Sequence, residues 1–245
     1  MRHLFPPAGM KATLALAALL LVATAALAGD KQDVKGRITG NDKLIPDVYS
    51  EAAKPENHRW NWREPSPTVP PGARVLAGDP SREVCIAAFV PSPQPALQPV
   101  LVKVTGGRTI PATIVVTPGT RLSFKNVDPF VHSLFQVNEP KFGPIVTGVN
   151  SSREWTAPST AARYEIRDTL FPSLRMYVRV ETQVVGFVYP SARDGSFTLQ
   201  LAPGDYVLKA FFAGNQVGKD VTGVHVVATG PFELKDPIQV GGDAK

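Results

Sequence analysis

The hydrophobic positions of this chain recur in short segments rather than at helical spacing. With 24 Pro and 20 Gly, few windows of a dozen residues are free of a helix breaker. In "TRLSFKN", Leu122 and Phe124 alternate with polar residues, which is typical of a strand with one solvent-facing side. Many short segments of this kind, rich in Val, Ile, Thr, Phe and Tyr, predict an all-β fold built as a sandwich or barrel. The predicted strands are VKGRITG, EVCIAAFV, PVLVKV, ATIVV, TRLSFKN, RYEI, MYVRVET, VVGFVYP, SFTLQL, DYVLKAFFA and VTGVHVVA.

The first 28 residues have the composition of a secretory signal. A basic start with Arg2 and Lys11 precedes an apolar, Ala-rich run that ends in Ala26-Leu27-Ala28. We expect cleavage after Ala28, export to the periplasm or the exterior, and no membrane span afterwards. The alternative is an uncleaved anchor, which the shortness of the run disfavours.

Charge and cysteine content exclude several classes of protein. The net charge is +5, without a run of like charges that could form a nucleic-acid-binding arm, so we expect no nucleic-acid partner. Cys85 is the single cysteine, and an intramolecular disulfide is therefore impossible. It lies between Val84 and Ile86, where we expect an inert buried thiol; the alternative is a reactive or partner-linking cysteine.

Composition also suggests the domain boundaries. We expect an N-terminal β segment over 29–99, a first β-domain over 100–182, a second β-module over 183–232 and a C-terminal tail over 233–245. The N-terminal segment contains a Pro-rich surface loop over 51–80.

Two tryptophans, Trp60 and Trp62, lie close together in this Pro-rich loop. They either pin the loop to the sandwich or form a stacking platform for a sugar or a protein partner.

The segment "IPATIVVTPGTRLSFKNVDPFVHSLF" resembles the cupredoxins, in particular exported plastocyanin-like and methylamine-utilisation-type proteins. Their pattern is a "V-x-P-G-T-x-V-x-F-x-N-x-D" strand pair followed by the first copper-ligating histidine. The resemblance implies a cupredoxin-like Greek-key β-sandwich and places His132 at that ligand position.

The remaining copper ligands of the family come from one loop with the pattern "Y-x-I-x-C-x-x-H-P-x-M". The counterpart here is "YEIRDTLFPSL", matched through its Tyr, Ile and Pro. This register places Asp168 where the family has Cys, Phe171 where it has His, and Leu174 where it has Met. The loop is retained, but three of the four ligands are replaced.

These replacements argue against a type 1 copper site, which needs two imidazoles, a thiolate and a weak axial thioether. Phe171 and Leu174 offer no lone pair, and one His with one carboxylate is a poor site. We therefore expect no cofactor. Instead, Phe171 and Leu174 should fill the end of the sandwich, with His132 at the edge of this apolar plug and hydrogen-bonded to Asp168. Copper bound around His132 remains the alternative.

The segment "DGSFTLQLAPGDYVLKA" contains a hairpin signal, Asp194-Gly195, and two strands. It resembles the "D-G-x-F-x-L-x-x-L-P-P-G-x-Y-x-L" signature of transthyretin-like, carboxypeptidase-regulatory-type β-sandwich modules. The opening "DVKGRITGNDKLIPDVYSEA" is similar to the first strands of such a module. Two arrangements stay open: residues 31–90 and 183–230 form one sandwich around an inserted domain, or two small β-domains lie side by side.

No catalytic motif with a nucleophile, base, metal cluster or phosphate loop is present in the sequence. His58 and His225 are expected to be exposed. We therefore expect an exported, non-catalytic binding or structural protein on a scaffold that has lost its copper site, with a cell-envelope protein or a glycan as partner. The alternative function is periplasmic copper binding or electron transfer at an atypical site around His132.

Overall fold

The structure, a computed structural model, describes residues 30–45 and 78–242. These residues form seventeen strands, one helical turn α1 (Pro80–Glu83) and two three-residue 3-10 turns, so the predicted all-β fold is confirmed. In chain order the strands are β1 (Gln32–Thr39), β2 (Val84–Phe89), β3 (Val100–Thr105), β4 (Arg108–Ile110), β5 (Thr113–Val116), β6 (Arg121–Asn126), β7 (His132–Gln136), β8 (Ile145–Thr147), β9 (Ser152–Thr156), β10 (Arg163–Asp168), β11 (Arg175–Val180), β12 (Val184–Val188), β13 (Ser196–Leu201), β14 (Gly204–Phe212), β15 (Asn215–Val226), β16 (Phe232–Glu233) and β17 (Ile238–Gln239).

The first and last strands together form one sandwich, called here the outer sandwich. One of its sheets has the order β13–β1–β16, with β17 also paired to β1, and the other has the order β12–β2–β14–β15. The core between these sheets includes Val34, Ile86, Leu199 and Leu208. Strand β1 is antiparallel to β13, while β2 is antiparallel to both β12 and β14.

Strands β3 to β11 form a second sandwich, called here the inserted sandwich. Its sheets have the orders β5–β11–β10–β7–β8 and β4–β3–β6–β9. The pairs β5/β11 and β3/β6 are parallel, whereas the other neighbours are antiparallel. The core contains Phe124, Leu134, Ile166 and Met176, all fully buried. Because β1 and β2 precede this sandwich and their partners follow it, its strands interrupt the outer sandwich.

The two sandwiches meet on β2, which is buried along its whole length. Val84, Ile86 and Ala88 face the outer core, while Cys85 and the other alternate residues pack with Val115 of β5. Period-two alternation sends successive side chains to opposite sides, and a strand buried on both sides needs a continuous apolar run such as "VCIAAF".

The expected inert state of Cys85 agrees with this position. The thiol is fully buried, and burial raises the pKa of Cys85 to about 12. Since the thiolate is the reactive form, the side chain behaves as a small apolar group.

Some elements differ from the sequence-based prediction. Helix α1 begins inside the predicted loop 51–80, because the Asp79 side chain accepts from the Ser81 amide at 3.0 Å and Pro80 suits the first helical turn. The predicted tail 233–245 contributes β17 to the outer sandwich, where Ile238 and Val240 are buried.

Several predictions fall on residues outside the described ranges. They are the signal peptide 1–28, His58, Trp60 and Trp62. Within residues 30–45 and 78–242, helices are too short and too polar to cross a membrane.

Candidate functional site

The residues matched to the copper ligands meet at one end of the inserted sandwich. His132 is the first residue of β7 and Asp168 the last residue of β10, and these strands are antiparallel neighbours. Asp128 lies in the loop that joins β6 to β7. His132, Asp128 and Asp168 are all buried, and together they are called here the His132 cluster.

The His132 ring lies between two carboxylates. Its Nδ1 is 2.7 Å from Oδ2 of Asp168, so the predicted hydrogen bond is confirmed. Its Nε2 is 3.0 Å from Oδ2 of Asp128, a contact that the sequence had not suggested. No part of the His132 side chain is exposed to solvent.

Asp168 is further held by the backbone of two neighbouring segments. Its Oδ2 accepts from the amide of Ser133 at 3.2 Å, and its Oδ1 accepts from the amides of Leu170 and Phe171 at 2.7 and 3.1 Å. A short carboxylate that accepts from the next amides fixes the start of a turn. The residue in the family's cysteine slot therefore organises the loop through hydrogen bonds.

Asp128 is held by a glycine turn between β3 and β4. Its carboxylate accepts from the amides of Gly106 and Gly107 at 2.6 and 3.0 Å. Both glycines have positive φ, 58° and 63°, as the tight turn of a two-residue hairpin requires. Burial raises the pKa of Asp128, but the two amides and His132 outweigh it, and the pKa lies below its ordinary value.

Both nitrogens of the His132 ring take part in hydrogen bonds to carboxylates. The protein groups within hydrogen-bonding distance of the Asp128 and Asp168 carboxylates are all N–H donors or ring nitrogens. Each ring nitrogen and the carboxylate oxygen that faces it share one proton, so both contacts are hydrogen bonds. Both ring nitrogens are consequently engaged, and neither offers a lone pair to another group.

Two aromatic side chains, Phe130 and Phe171, pack near the His132 ring. The Phe171 ring lies 4.9 Å from the His132 ring between centroids, and it stacks on Phe130 at 4.7 Å. Phe171 is half-buried, whereas Leu174 is buried in the core of the inserted sandwich. The side chain in the family's His slot thus packs beside the ring, while the side chain in the Met slot fills the core of the inserted sandwich.

Asn126 is a site residue that sequence reasoning did not identify. Its side-chain amide donates to the carbonyl oxygens of Phe130, Thr147 and Gly148, and its Oδ1 accepts from the Asp128 amide at 2.9 Å. These contacts fix the loop that presents Asp128. The available signal was the spacing of Asn126, Asp128 and His132 in "KNVDPFVH".

The residues at this end do not fit a type 1 copper ion. Such a site requires two imidazoles and a thiolate, whereas the matched positions supply one engaged imidazole, one carboxylate and two hydrocarbon side chains. Met176 points into the core, and Cys85 lies on the outer sandwich. Across residues 30–45 and 78–242, groups of three or more His, Cys, Asp or Glu arranged to hold a metal are absent.

His225 provides a useful comparison because it also pairs with a carboxylate. Its Nδ1 is 2.6 Å from Oδ1 of Asp205, and both side chains are well exposed, at 66% and 85%. The expectation of an outward-facing His225 is therefore confirmed.

No protein-family model and no curated protein matches this chain. Among solved structures, the reduced state of an amicyanin mutant is 18% identical; the match covers 39% of this chain and 99% of amicyanin, with a TM-score of 0.31. An oxidised amicyanin mutant is 19% identical with the same coverage of both chains, and its TM-score is also 0.31. The copper-containing nitrite reductase from Thermus scotoductus SA-01 is 22% identical over 38% of this chain and 25% of the reductase, at 0.30. At these TM-scores the fold is defined by its sheet topology and not by the matches.

Replacing Asp168 by Asn should destabilise the protein strongly. The amide has one acceptor oxygen for the four donors that Asp168 now accepts from, and it leaves Asp128 as the one carboxylate beside the buried His132 ring. We expect the free energy of unfolding at pH 7 to fall by roughly 3–5 kcal/mol, measured by urea denaturation. The matched control is Asp205→Asn, which alters the exposed His225 pair and should change stability little. Equal effects of the two substitutions would contradict the assigned role of Asp168.

The pH dependence of stability should report on Asp128. A folded-state pKa below the unfolded value of about 3.9 gives stability that is present above that pH and is lost as the pH falls through the folded pKa. Asp128→Asn removes this contribution. We expect the wild-type and variant unfolding free energies to converge as the pH is lowered from about 5 to 2. Parallel curves over this range would show that Asp128 is not the group responsible.

Proposed function

We propose that the inserted sandwich is a cupredoxin-like scaffold that has lost its type 1 copper site. In this proposal the chain is an exported, non-catalytic binding or structural protein of the cell envelope. The observation that carries the proposal is the engagement of both ring nitrogens of His132 by Asp128 and Asp168.

Energetic competition supports the loss of copper binding. A metal ion could bind the His132 ring only after one carboxylate had been displaced and one ring nitrogen deprotonated. Removing one partner of a buried ion pair costs on the order of 3–5 kcal/mol, and Phe171 and Leu174 would return none of this energy as ligands. The same engagement argues against His132 as a general base, since a base needs a free lone pair.

The alternative function, copper binding or electron transfer at an atypical site, has narrower support. It rests on the position of His132 and on the retained loop between β10 and β11. Asp168 is the second potential ligand, but its oxygens already accept from three backbone amides and from His132.

Exposed apolar side chains around the same end support a binding role. Phe130, Val131 and Leu170 are 37%, 40% and 50% exposed. Nearby, Ile145 and Val146 are 63% and 64% exposed on β8, which is an edge strand paired only with β7 among the described strands. An apolar edge strand is a surface that another protein can cover. This composition favours a protein partner over a glycan, which would be met by polar groups and aromatic faces.

Copper titration tests the loss of the metal site. We expect isothermal titration of the purified protein with Cu(II) to give no stoichiometric binding that depends on His132. The exposed His225 offers the matched control, because adventitious Cu(II) on a surface histidine should respond to His225→Gln and not to His132→Gln. Stoichiometric binding that His132→Gln abolishes and His225→Gln retains would establish the alternative function.

Substitution of the exposed apolar residues tests the binding role. A Phe130→Ser/Leu170→Ser variant should recover its envelope partners less efficiently after cross-linking, measured by quantitative mass spectrometry of the captured proteins. Leu101→Ser is the matched control, because Leu101 is 54% exposed on β3, away from this end. Equal recovery with both variants would exclude this surface as the binding site. Selective recovery of glycans would show that the partner is a glycan and not a protein.

A further inference from the structure

A cleft of about 220 Å³ lies where the two sandwiches meet. Residues of α1, of β4 and the turn after it, of β11 and of the end of β14 line it. Hydrogen bonds join these segments: the Ala112 amide donates to the Arg82 carbonyl at 2.9 Å, and the Ala213 amide donates to Thr113 Oγ1 at 3.1 Å. The walls are therefore tied together by the backbone of both sandwiches.

Cationic side chains outnumber acidic ones in the cleft. Arg82, Arg108 and Arg175 line it, and Glu83 is the one acidic residue among the lining residues. Glu83 pairs with Arg82 at 2.6 Å. Arg108 and Arg175 form no ion pair with the described residues. Two exposed guanidinium groups thus face the cleft without a counter-charge from the described parts of the chain.

The cleft is also lined by residues with unused hydrogen-bonding groups. Thr109 is 1% exposed, and its Oγ1 has no hydrogen-bond partner among the described residues. The buried Nε of Arg82 likewise has none. Buried polar atoms of folded proteins nearly always have a partner, so an unpartnered hydroxyl beside a cationic cleft points to a missing acceptor.

We propose that this cleft binds an oxyanion group, a carboxylate or a phosphate, of a small ligand. A planar guanidinium presents two parallel N–H donors that match either group, and the Thr109 hydroxyl can donate to the same anion. Leu174, Tyr177 and Phe212 form an apolar wall for the remainder of the ligand. The ligand class is thus a small organic acid or phosphate ester.

Anion binding in the cleft and copper binding at the His132 cluster can be tested separately. The oxyanion would contact Arg108, Thr109 and Arg175, which make no side-chain contact with His132. Failure of anion binding leaves the copper question unchanged, and copper binding at His132 leaves the cleft unchanged.

Calorimetry with two anions tests the proposal directly. We expect saturable 1:1 binding of citrate or of inorganic phosphate to the wild-type protein in chloride buffer at fixed ionic strength. The anion that binds more tightly shows whether the ligand group is a carboxylate or a phosphate. The double variant Arg108→Gln/Arg175→Gln should bind roughly tenfold or more weakly. The control Arg121→Gln removes an exposed arginine on β6, outside the cleft, and should bind normally. Absence of saturable binding to the wild-type protein, or equal weakening by the control, would overturn the proposal.

The shape-matched change Thr109→Val separates a ligand-binding role from a structural one. Because the hydroxyl has no protein partner among the described residues, the variant should retain or exceed wild-type thermal stability in anion-free buffer. The rise in melting temperature on adding the preferred anion should be smaller than in the wild-type protein. An unchanged rise would overturn the assignment of Thr109 to the site, and this measurement does not depend on the folding of the double arginine variant.

Discussion

The end of the inserted sandwich depends on one interaction, the hydrogen bonding of both His132 ring nitrogens to buried carboxylates. Buried polar groups are tolerated when they are hydrogen-bonded, and both nitrogens of this ring meet that condition. Asp128 connects the ring to the glycine turn between β3 and β4, while Asp168 connects it to the loop after β10. Backbone amides donate further hydrogen bonds to the two carboxylates. Three segments that are distant in the chain are thereby held in one arrangement.

The loop between β10 and β11 links this cluster to the cleft between the sandwiches. Asp168 begins the loop at the His132 ring, and the Phe171 ring lies tilted beside it. At its other end, Ser173 and Leu174 line the cleft. A loop that resembles a metal-binding loop in sequence thus contributes to a charged core on one side and to a cationic surface on the other.

Patterns within short segments of the sequence predicted one contact of the His132 cluster and the buried face of one strand. The register of the loop after β10 correctly paired Asp168 with His132, and alternation in "TRLSFKN" identified the buried face of β6. Six strands were not predicted: β4, β7, β8, β9, β16 and β17. Each has five residues or fewer, so its apolar pattern is too short to distinguish it from a loop.

Contacts between distant segments left no such signal. Asp128 was not assigned to the site because its glycine partners approach it only through the β3–β4 hairpin. The cleft likewise gathers Arg82, Arg108 and Arg175 from α1, β4 and β11, and no local pattern in the sequence relates these three residues. The pairing of β1 with β13 also depends on tertiary packing, which is why the sequence left two domain arrangements open.

The most direct test of the central claim is the ring ¹⁵N–¹H NMR spectrum of His132 in the wild-type protein at neutral pH. The hydrogen bonds predict two slowly exchanging ring protons, one on Nδ1 and one on Nε2, because both are buried and donated to carboxylates. One equivalent of Cu(II) should leave both signals unchanged. A ring nitrogen without a proton, or selective loss of the His132 signals at one equivalent of Cu(II), would contradict the proposed loss of the metal site.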